Sequence, residues 1–369
     1  MKHPPSDPSL AQTSGNSGSS PRPSLESANS KPFNFRDYLG QKRLHLRYLI
    51  GKLEFKLRFW SGEVVKPSYY IRLLSELMLK LHRMELGTLR QYDPRPVRSF
   101  PLPIASRQIK ELPTIAIVTP SYNQGDLIRD TIESVLGQKY ANLKYGVVDG
   151  GSTDATPEIM SKYQDRLAYY VSEGDKGQSD AIAKGFSNLS GNIMAYLNSD
   201  DLLMPGALRF VGGFFATHPD IDVIYGHRII IDESGREVGR WILPRHDAEA
   251  IRHFDYVPQE TLFWRRALYD KVGGISPSFQ FAMDWDLLLR FIACGARFSR
   301  VPYFLACFRV HNKQKTHTRL ESIGKREIAC LMAREHPEGH SPERVHQLRE
   351  FYQMRSSLCA TLLKCGIRY

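Results

Sequence analysis

The stretch Ile115-Ala116-Ile117-Val118-Thr119-Pro120-Ser121-Tyr122-Asn123 decides the fold of this chain. An apolar, β-branched run breaks at a proline followed by polar groups, the pattern of a buried strand that ends in a loop. Beyond it Ile128, Ile132, Val135 and Leu136 recur at helical spacing, and Tyr145-Gly146-Val147-Val148 makes a second apolar run. Strand, helix and strand in that order imply a parallel pair.

The second run ends in Asp149-Gly150-Gly151-Ser152-Thr153-Asp154, where two glycines free the backbone, and a helix follows near Thr156-Pro157-Glu158. Asp154 reads as a helix-start residue. Residues 168–171 predict a short strand and 178–187 a helix. A fourth strand, Ile193-Met194-Ala195-Tyr196-Leu197, then runs into Asn198-Ser199-Asp200-Asp201. Three polar clusters thus follow three strands, and open α/β sheets bind ligands beyond the carboxyl ends of their strands. One crevice should collect all three.

Outward from this unit, the 369 residues and their 42% hydrophobic content suffice for one large domain with appendages or for two modest ones. The net charge of +11 points to an anionic partner without distinguishing nucleic acid, lipid or a phosphorylated substrate. Cys294, Cys307, Cys330, Cys359 and Cys365 are odd in number and lack CxxC or zinc spacing, which fits a reducing cytosol. No uninterrupted apolar stretch is long enough to span a bilayer, and no apolar h-region follows the first lysine. A cytoplasmic location is the expectation.

Residues 1–32, rich in Ser and Pro, read as a disordered tail. Residues 33–112 read as a basic amphipathic helical region followed by a proline-containing linker over 92–113. Two readings of that basic region stand side by side: peripheral docking on an anionic membrane at the inner face of the plasma membrane, or a helical pair packed on the main domain with a solvated basic face. After Asp201 the pattern predicts a helix over 206–216, a strand over 222–225 and a hairpin of 228–232 with 237–242. A strand-like segment at 261–264 follows, then a helix that begins at Phe281-Ala282-Met283-Asp284-Trp285-Asp286. Its N-terminus favours the carboxylates of Asp284 and Asp286. Helices near 320–335 and 342–364 close the chain within residues 319–369.

Residues 113–318 resemble the inverting nucleotide-sugar glycosyltransferases of family 2. That resemblance implies an α/β fold of the GT-A type, a Rossmann-like domain with a mostly parallel central sheet, flanked here by N-terminal and C-terminal helices. The motifs that carry it are Thr119-Pro120-Ser121-Tyr122-Asn123, Val148-Asp149-Gly150-Gly151-Ser152-Thr153-Asp154, Gly177-Gln178-Ser179-Asp180-Ala181-Ile182-Ala183-Lys184-Gly185, Asn198-Ser199-Asp200-Asp201 and Met283-Asp284-Trp285-Asp286, in that order. The pattern departs from the commoner one in having Asn198 where an aspartate often stands and Met283 where a glutamate is usual.

By this resemblance Pro120, Ser121 and Tyr122 form the first nucleotide loop, with Tyr122 stacking on the base, and Asp149 accepts from a pyrimidine N–H, which favours a UDP-sugar donor. Gln178, Asp180 and Lys184 would line the donor pocket, and Gln259 would contact acceptor or sugar. A divalent cation, Mg2+ or Mn2+, would be held by Asp200 and His311, with Asp201 on the metal indirectly or on the ribose. Arg309 and Lys315 are further candidates for phosphate contacts. Asp284 would be the general base for an inverting displacement, whereas Asp286 reads as structural. The implied function is sugar transfer to a saccharide or lipid-linked saccharide acceptor in surface glycan assembly.

Other classes fit less well. A sugar-1-phosphate nucleotidyltransferase needs a basic Gly-rich loop after the first strand, and a dinucleotide oxidoreductase needs GxGxxG there; neither is present. The basic residues coincide with no nucleic-acid reading motif. A catalytically decayed scaffold of a glycan assembly complex is the remaining alternative, kept open by Asn198 and Met283.

Overall fold

The computed structural model describes residues 87–98, 101–103, 111–312, 314, 319–339, 341–364 and 366–368. The readings made for residues 1–86 and for Lys315 lie outside the described residues.

A single twisted sheet runs through the domain. Its strands are β1 (Ile115–Ser121), β2 (Leu143–Asp149), β3 (Tyr169–Ser172), β4 (Ile193–Tyr196), β5 (Leu202–Leu203), β6 (Val223–Ile231), β7 (Glu237–Trp241), β8 (Phe263–Arg265) and β9 (Phe298–Arg309). They lie in the order β3-β2-β1-β4-β8-β6-β9-β5, with β7 paired to β6. The longer ladders, β1 with β2 and β6 with β9, are parallel, as are β1 with β4 and β2 with β3. β8 is antiparallel to both β4 and β6 and joins the two parallel halves.

β1 shows why the sheet is buried on both faces. Ala116 and Val118 join one apolar cluster and Ile115 and Ile117 the other, because successive side chains of a strand point to opposite faces. Helices α1 (Ile128–Leu136), α2 (Thr156–Ser161) and α4 (Ala207–Thr217) cover the face of Ile115 and Ile117, while α3 (Gln178–Asn188) covers the other. Two short helices, α5 (Ala250–His253) and α6 (Arg266–Lys271), precede α7 (Met283–Ala293), which packs beside α3. After β9 a π-helical turn (Leu320–Gly324) leads into α8 (Lys325–Glu335), followed by α9 (Pro342–Lys364).

Two expectations are corrected. Residues 222–225 and 228–232 are not separate strands but parts of the single strand β6. The register between β6 and β9 shifts at Tyr225, His227 and Arg228, and a Cβ on Gly226 would come within 2.6 Å of the Tyr303 carbonyl, so glycine there permits a close approach, not a turn. Residues 91–95 are not a free linker either. Gln91 N–H donates to Val238 O at 2.8 Å and Arg95 exchanges backbone bonds with Glu237 at 3.0 and 2.7 Å, which extends the sheet beside β7. Arg95, Arg240 and Tyr92 then converge on the buried Glu237 carboxylate. Among the described residues no helix is long and apolar enough to cross a membrane.

Candidate active site

Ser121, Asp149 and Ser172 stand in register at the ends of β1, β2 and β3, so three strand tips open on one edge. A cleft of about 1390 Å³ follows that edge past β4 and continues between α7, α8 and α9. The sheet order therefore fixes the lateral order of the groups that line it.

At the first strand tips Tyr122 is 63% exposed, with Pro120, the buried Ser121 and Gly150 beside it in the cleft wall. The loops after β1 and β2 interlock. Asn123 N–H donates to Ser152 Oγ at 2.7 Å, Thr153 N–H to Asn123 Oδ1 at 2.9 Å, and Gly125 N–H to Asp154 Oδ2 at 2.8 Å. Asp149 serves this interlock and does not face the cleft. It is 0% exposed, and its carboxylate accepts from Ser152 Oγ at 2.5 Å, Ser152 N–H at 2.9 Å and Ser172 Oγ at 2.6 Å. Three donors from its own loops turn it inward, which corrects its reading as the group that reads the base. The acid that does line this part is Asp175, held by Gly177 N–H at 2.8 Å. A Cβ on Gly150 would meet Asp175 Oδ2 at 2.8 Å, so a larger residue there would push the Asp175 carboxylate aside.

Of the three residues expected on α3, Gln178 lines the cleft and Asp180 and Lys184 do not. Asp180 accepts from Lys176 N–H at 3.1 Å, and Lys184 pairs with Glu173 at 2.7 Å. At 3.6 residues per turn these positions lie roughly 200° and 240° around the helix from Gln178, so the helix carries them away from the cleft.

The tip of β4 holds the densest polar network. Gln178 Nε2 donates to Asn198 Oδ1 at 2.6 Å, Asn198 Nδ2 to Gln259 Oε1 at 3.2 Å, and Gln259 Nε2 to the Tyr196 carbonyl at 2.7 Å. Asp200 Oδ2 lies 2.9 Å from His311 Nε2. Asp201, by contrast, is 1% exposed and accepts from Arg309 N–H at 3.0 Å, which ties the loop to β9. Burial, then the charges of Asp200 and Glu260, pushes its carboxyl well above the ordinary carboxylate range. Asp201 nonetheless lines the cleft, so this tie to β9 stands beside the contact with donor or metal expected of it. Arg309 is turned behind the loop. Its guanidinium bonds Asp200 O at 3.0 Å, Glu233 O at 2.9 Å and Asp130 at 2.9 Å, which excludes a phosphate contact in this arrangement.

Asp200 Oδ2 and His311 Nε2 share a hydrogen bond at 2.9 Å, and with the proton between them lost they would offer an oxygen and a nitrogen donor to a divalent cation. Among the described residues no third carboxylate, imidazole or thiol joins them. The donor set fits a hard divalent cation that keeps its other positions for diphosphate oxygens and water.

Asp284 lines the cleft from the first turn of α7, with Oδ1 accepting from Trp285 N–H at 2.9 Å. Beside it stands Asp255, which the sequence reading passed over. Asp255 is exposed on the cleft wall, and its pKa is raised by desolvation among the protein groups that surround it and then by the charge of Asp284. Arg228 and Glu260, also missed, form a buried bidentate pair at 2.7 and 2.6 Å, with the guanidinium between the rings of Trp241 and Phe308. Asp255 lies just before Pro258-Gln259-Glu260-Thr261, a segment read for Gln259 alone.

The fold is an α/β architecture of the GT-A type, with a crevice along the carboxyl ends of β1, β2 and β4. Residues 116–280 match the model described as Glycosyl transferase family 2. Asp284 and His311 lie beyond the matched residues. An uncharacterized glycosyltransferase of Rickettsia typhi is 29% identical over 220 residues, covering 57% of this chain and 68% of that protein. The O-antigen biosynthesis protein RfbC of Myxococcus xanthus is 27% identical over 266 residues, covering 66% of this chain but only 20% of its own length. Among solved structures, a mannosyltransferase of Pyrobaculum calidifontis in complex with GDP-Man and Mn2+ superposes with a TM-score of 0.50 at 16% identity, covering 81% of this chain and 82% of that one.

Proposed function

We propose that this protein transfers a sugar from a nucleoside-diphosphate donor to a hydroxyl acceptor with inversion at the anomeric carbon. The observation that carries the reading is the placement in one cleft of Tyr122, Asp200 and Asp284 from three separate motifs. Tyr122 offers an exposed ring to the base of the nucleoside-diphosphate donor. Asp200 and His311 would hold Mg2+ or Mn2+, which when bound neutralises the charge developing on the diphosphate.

Asp284 takes the proton from the acceptor hydroxyl. That oxygen forms its bond to the anomeric carbon as the bond to the diphosphate oxygen breaks, and the diphosphate departs with the electron pair. Arg228, already occupied by Glu260, shapes the wall.

The part of the cleft beyond Asp284 is lined by Trp241, Phe254, Ile328 and Met332 with Arg319 and Arg349 nearby. Apolar walls and cations together suit a saccharide acceptor that carries an anionic, lipid-linked portion. The relation to an O-antigen biosynthesis protein supports surface glycan assembly as the setting, at the cytoplasmic face of an anionic membrane.

Calorimetric titration of UDP, GDP, dTDP and their sugar conjugates with and without Mn2+, into wild type and Asp200→Asn, tests this reading. Metal-dependent binding of one nucleotide, lost in the variant, is expected, together with a product of inverted anomeric configuration. A folded protein that binds no nucleotide would overturn it in favour of a decayed scaffold.

A further inference from the structure

Helix α8 lies outside the residues matched to the family, yet it grips the turn that carries Asp284 from both sides. The carboxylate of Glu327, itself buried, accepts from three consecutive backbone N–H groups: Gln280 at 2.9 Å, Phe281 at 2.8 Å and Ala282 at 2.9 Å. Seven residues and about two turns along the same face, Arg334 bonds the buried Asp286, which also takes Arg290 at 2.8 Å. Asp284 stands between these two anchor points.

Ala282 is the N-cap of α7 and gives it no side-chain cap. The three N–H groups that Glu327 accepts belong to the residues leading into the helix, so its carboxylate fixes the approach to α7, and charge-assisted bonds of this kind are stronger and geometrically tighter than neutral ones. The gripped segment also reaches the donor side. Gln280 Nε2 donates to the Lys176 carbonyl at 3.0 Å, and Ser179 Oγ donates to the Phe279 carbonyl. One segment, residues 279–282, thus connects α8 with the loop beside Gln178 on one side and with Asp284 on the other.

We propose that Glu327 is a positioning residue: it fixes the Asp284 turn at its spacing from the donor loop, so that α8 completes the catalytic arrangement. This rests on the reading of Asp284 as the base. Glu327→Gln replaces one acceptor oxygen by an amide donor facing backbone N–H groups, while the shape of the side chain is retained. Misplacement of a reacting group by about 1 Å can cost on the order of 100-fold in rate.

The test uses the full chain and two readouts. Amide hydrogen exchange over residues 279–285 should speed up about 10-fold or more in Glu327→Gln, and kcat should fall about 10- to 100-fold with the donor KM within about two-fold of wild type. Arg334→Gln, which loosens the other anchor, should shift both readouts in the same direction by less. Glu321→Gln, in an exposed pair with Lys325, should shift neither. Unchanged exchange, or faster exchange with unchanged kcat, overturns the proposal, as does an equal loss of donor affinity and rate. Asp284→Asn measured in parallel separates the two ideas: full activity there overturns the base assignment, whereas an inactive Asp284→Asn beside a fully active Glu327→Gln overturns the positioning role.

Discussion

Asp200 and His311 are 111 positions apart in sequence, yet their Oδ2 and Nε2 atoms stand 2.9 Å from each other at the cleft. Asp200 follows β4 and His311 follows β9, and the pair forms because β9 bonds through Arg309 N–H to Asp201. His311→Ala should therefore weaken Mn2+-dependent nucleotide binding by about 10- to 100-fold and leave metal-free binding unchanged. Calorimetry with and without Mn2+ reads this directly; equal losses in both conditions would assign His311 to the nucleotide itself.

Tyr122 predicts the opposite division between binding and folding. Its ring is 63% exposed and has little packing to lose. Tyr122→Ala should cost ~1–3 kcal/mol of nucleotide affinity, the usual worth of stacking on a base, with the melting temperature unchanged. Unchanged affinity would remove the ring from the site.

Arg309 is a folding residue by the same reasoning. Its ion pair with Asp130 contributes little, because Asp130 is 55% exposed. The larger effect comes from the Asp200 and Glu233 carbonyls that it satisfies. Arg309→Met should destabilise by ~2–4 kcal/mol as those acceptors lose their donor, measured by denaturant unfolding. A change below ~0.5 kcal/mol would show that water replaces it readily.

Asp255 makes stability depend on pH with a definite sign. Asp255 is exposed at the cleft wall, yet desolvation by the protein around it and then the Asp284 charge raise its pKa above the ordinary 3.8. The fold thus keeps a proton that the unfolded chain releases, and stability present below that ordinary value is lost as pH rises through the raised one. Asp255→Asn is neutral throughout, so the fall in wild-type melting temperature between mildly acidic and neutral pH should flatten in the variant. Parallel curves would mean that Asp255 ionises in the fold as it does in solution.

The strand tips at Ser121, Asp149 and Tyr196 were legible because each apolar run ends in a local polar signal. The burial of Asp149 was not, since Ser152 reaches it from its own loop and Ser172 from the end of β3, a meeting that depends on the register of β2 with β3. The outward positions of Asp180 and Lys184 were available from helical periodicity but were overridden by the motif. Asp255 and Glu327 had no such signal. Their roles arise from contacts with residues 280–284, across a chain separation that no local window spans.

The hydrogen bonds from Gln178 through Asn198 and Gln259 to the Tyr196 carbonyl all run in one direction. An aspartate at 198 could still accept from Gln178, but it would face Gln259 Oε1 with an oxygen, and Gln259 cannot invert without turning its nitrogen away from Tyr196. Asn198 Nδ2 also lies 3.4 Å from Asp201 Oδ2, so an aspartate at 198 would meet an oxygen there too, and the neutral amide is the side chain that both neighbours accept as they stand.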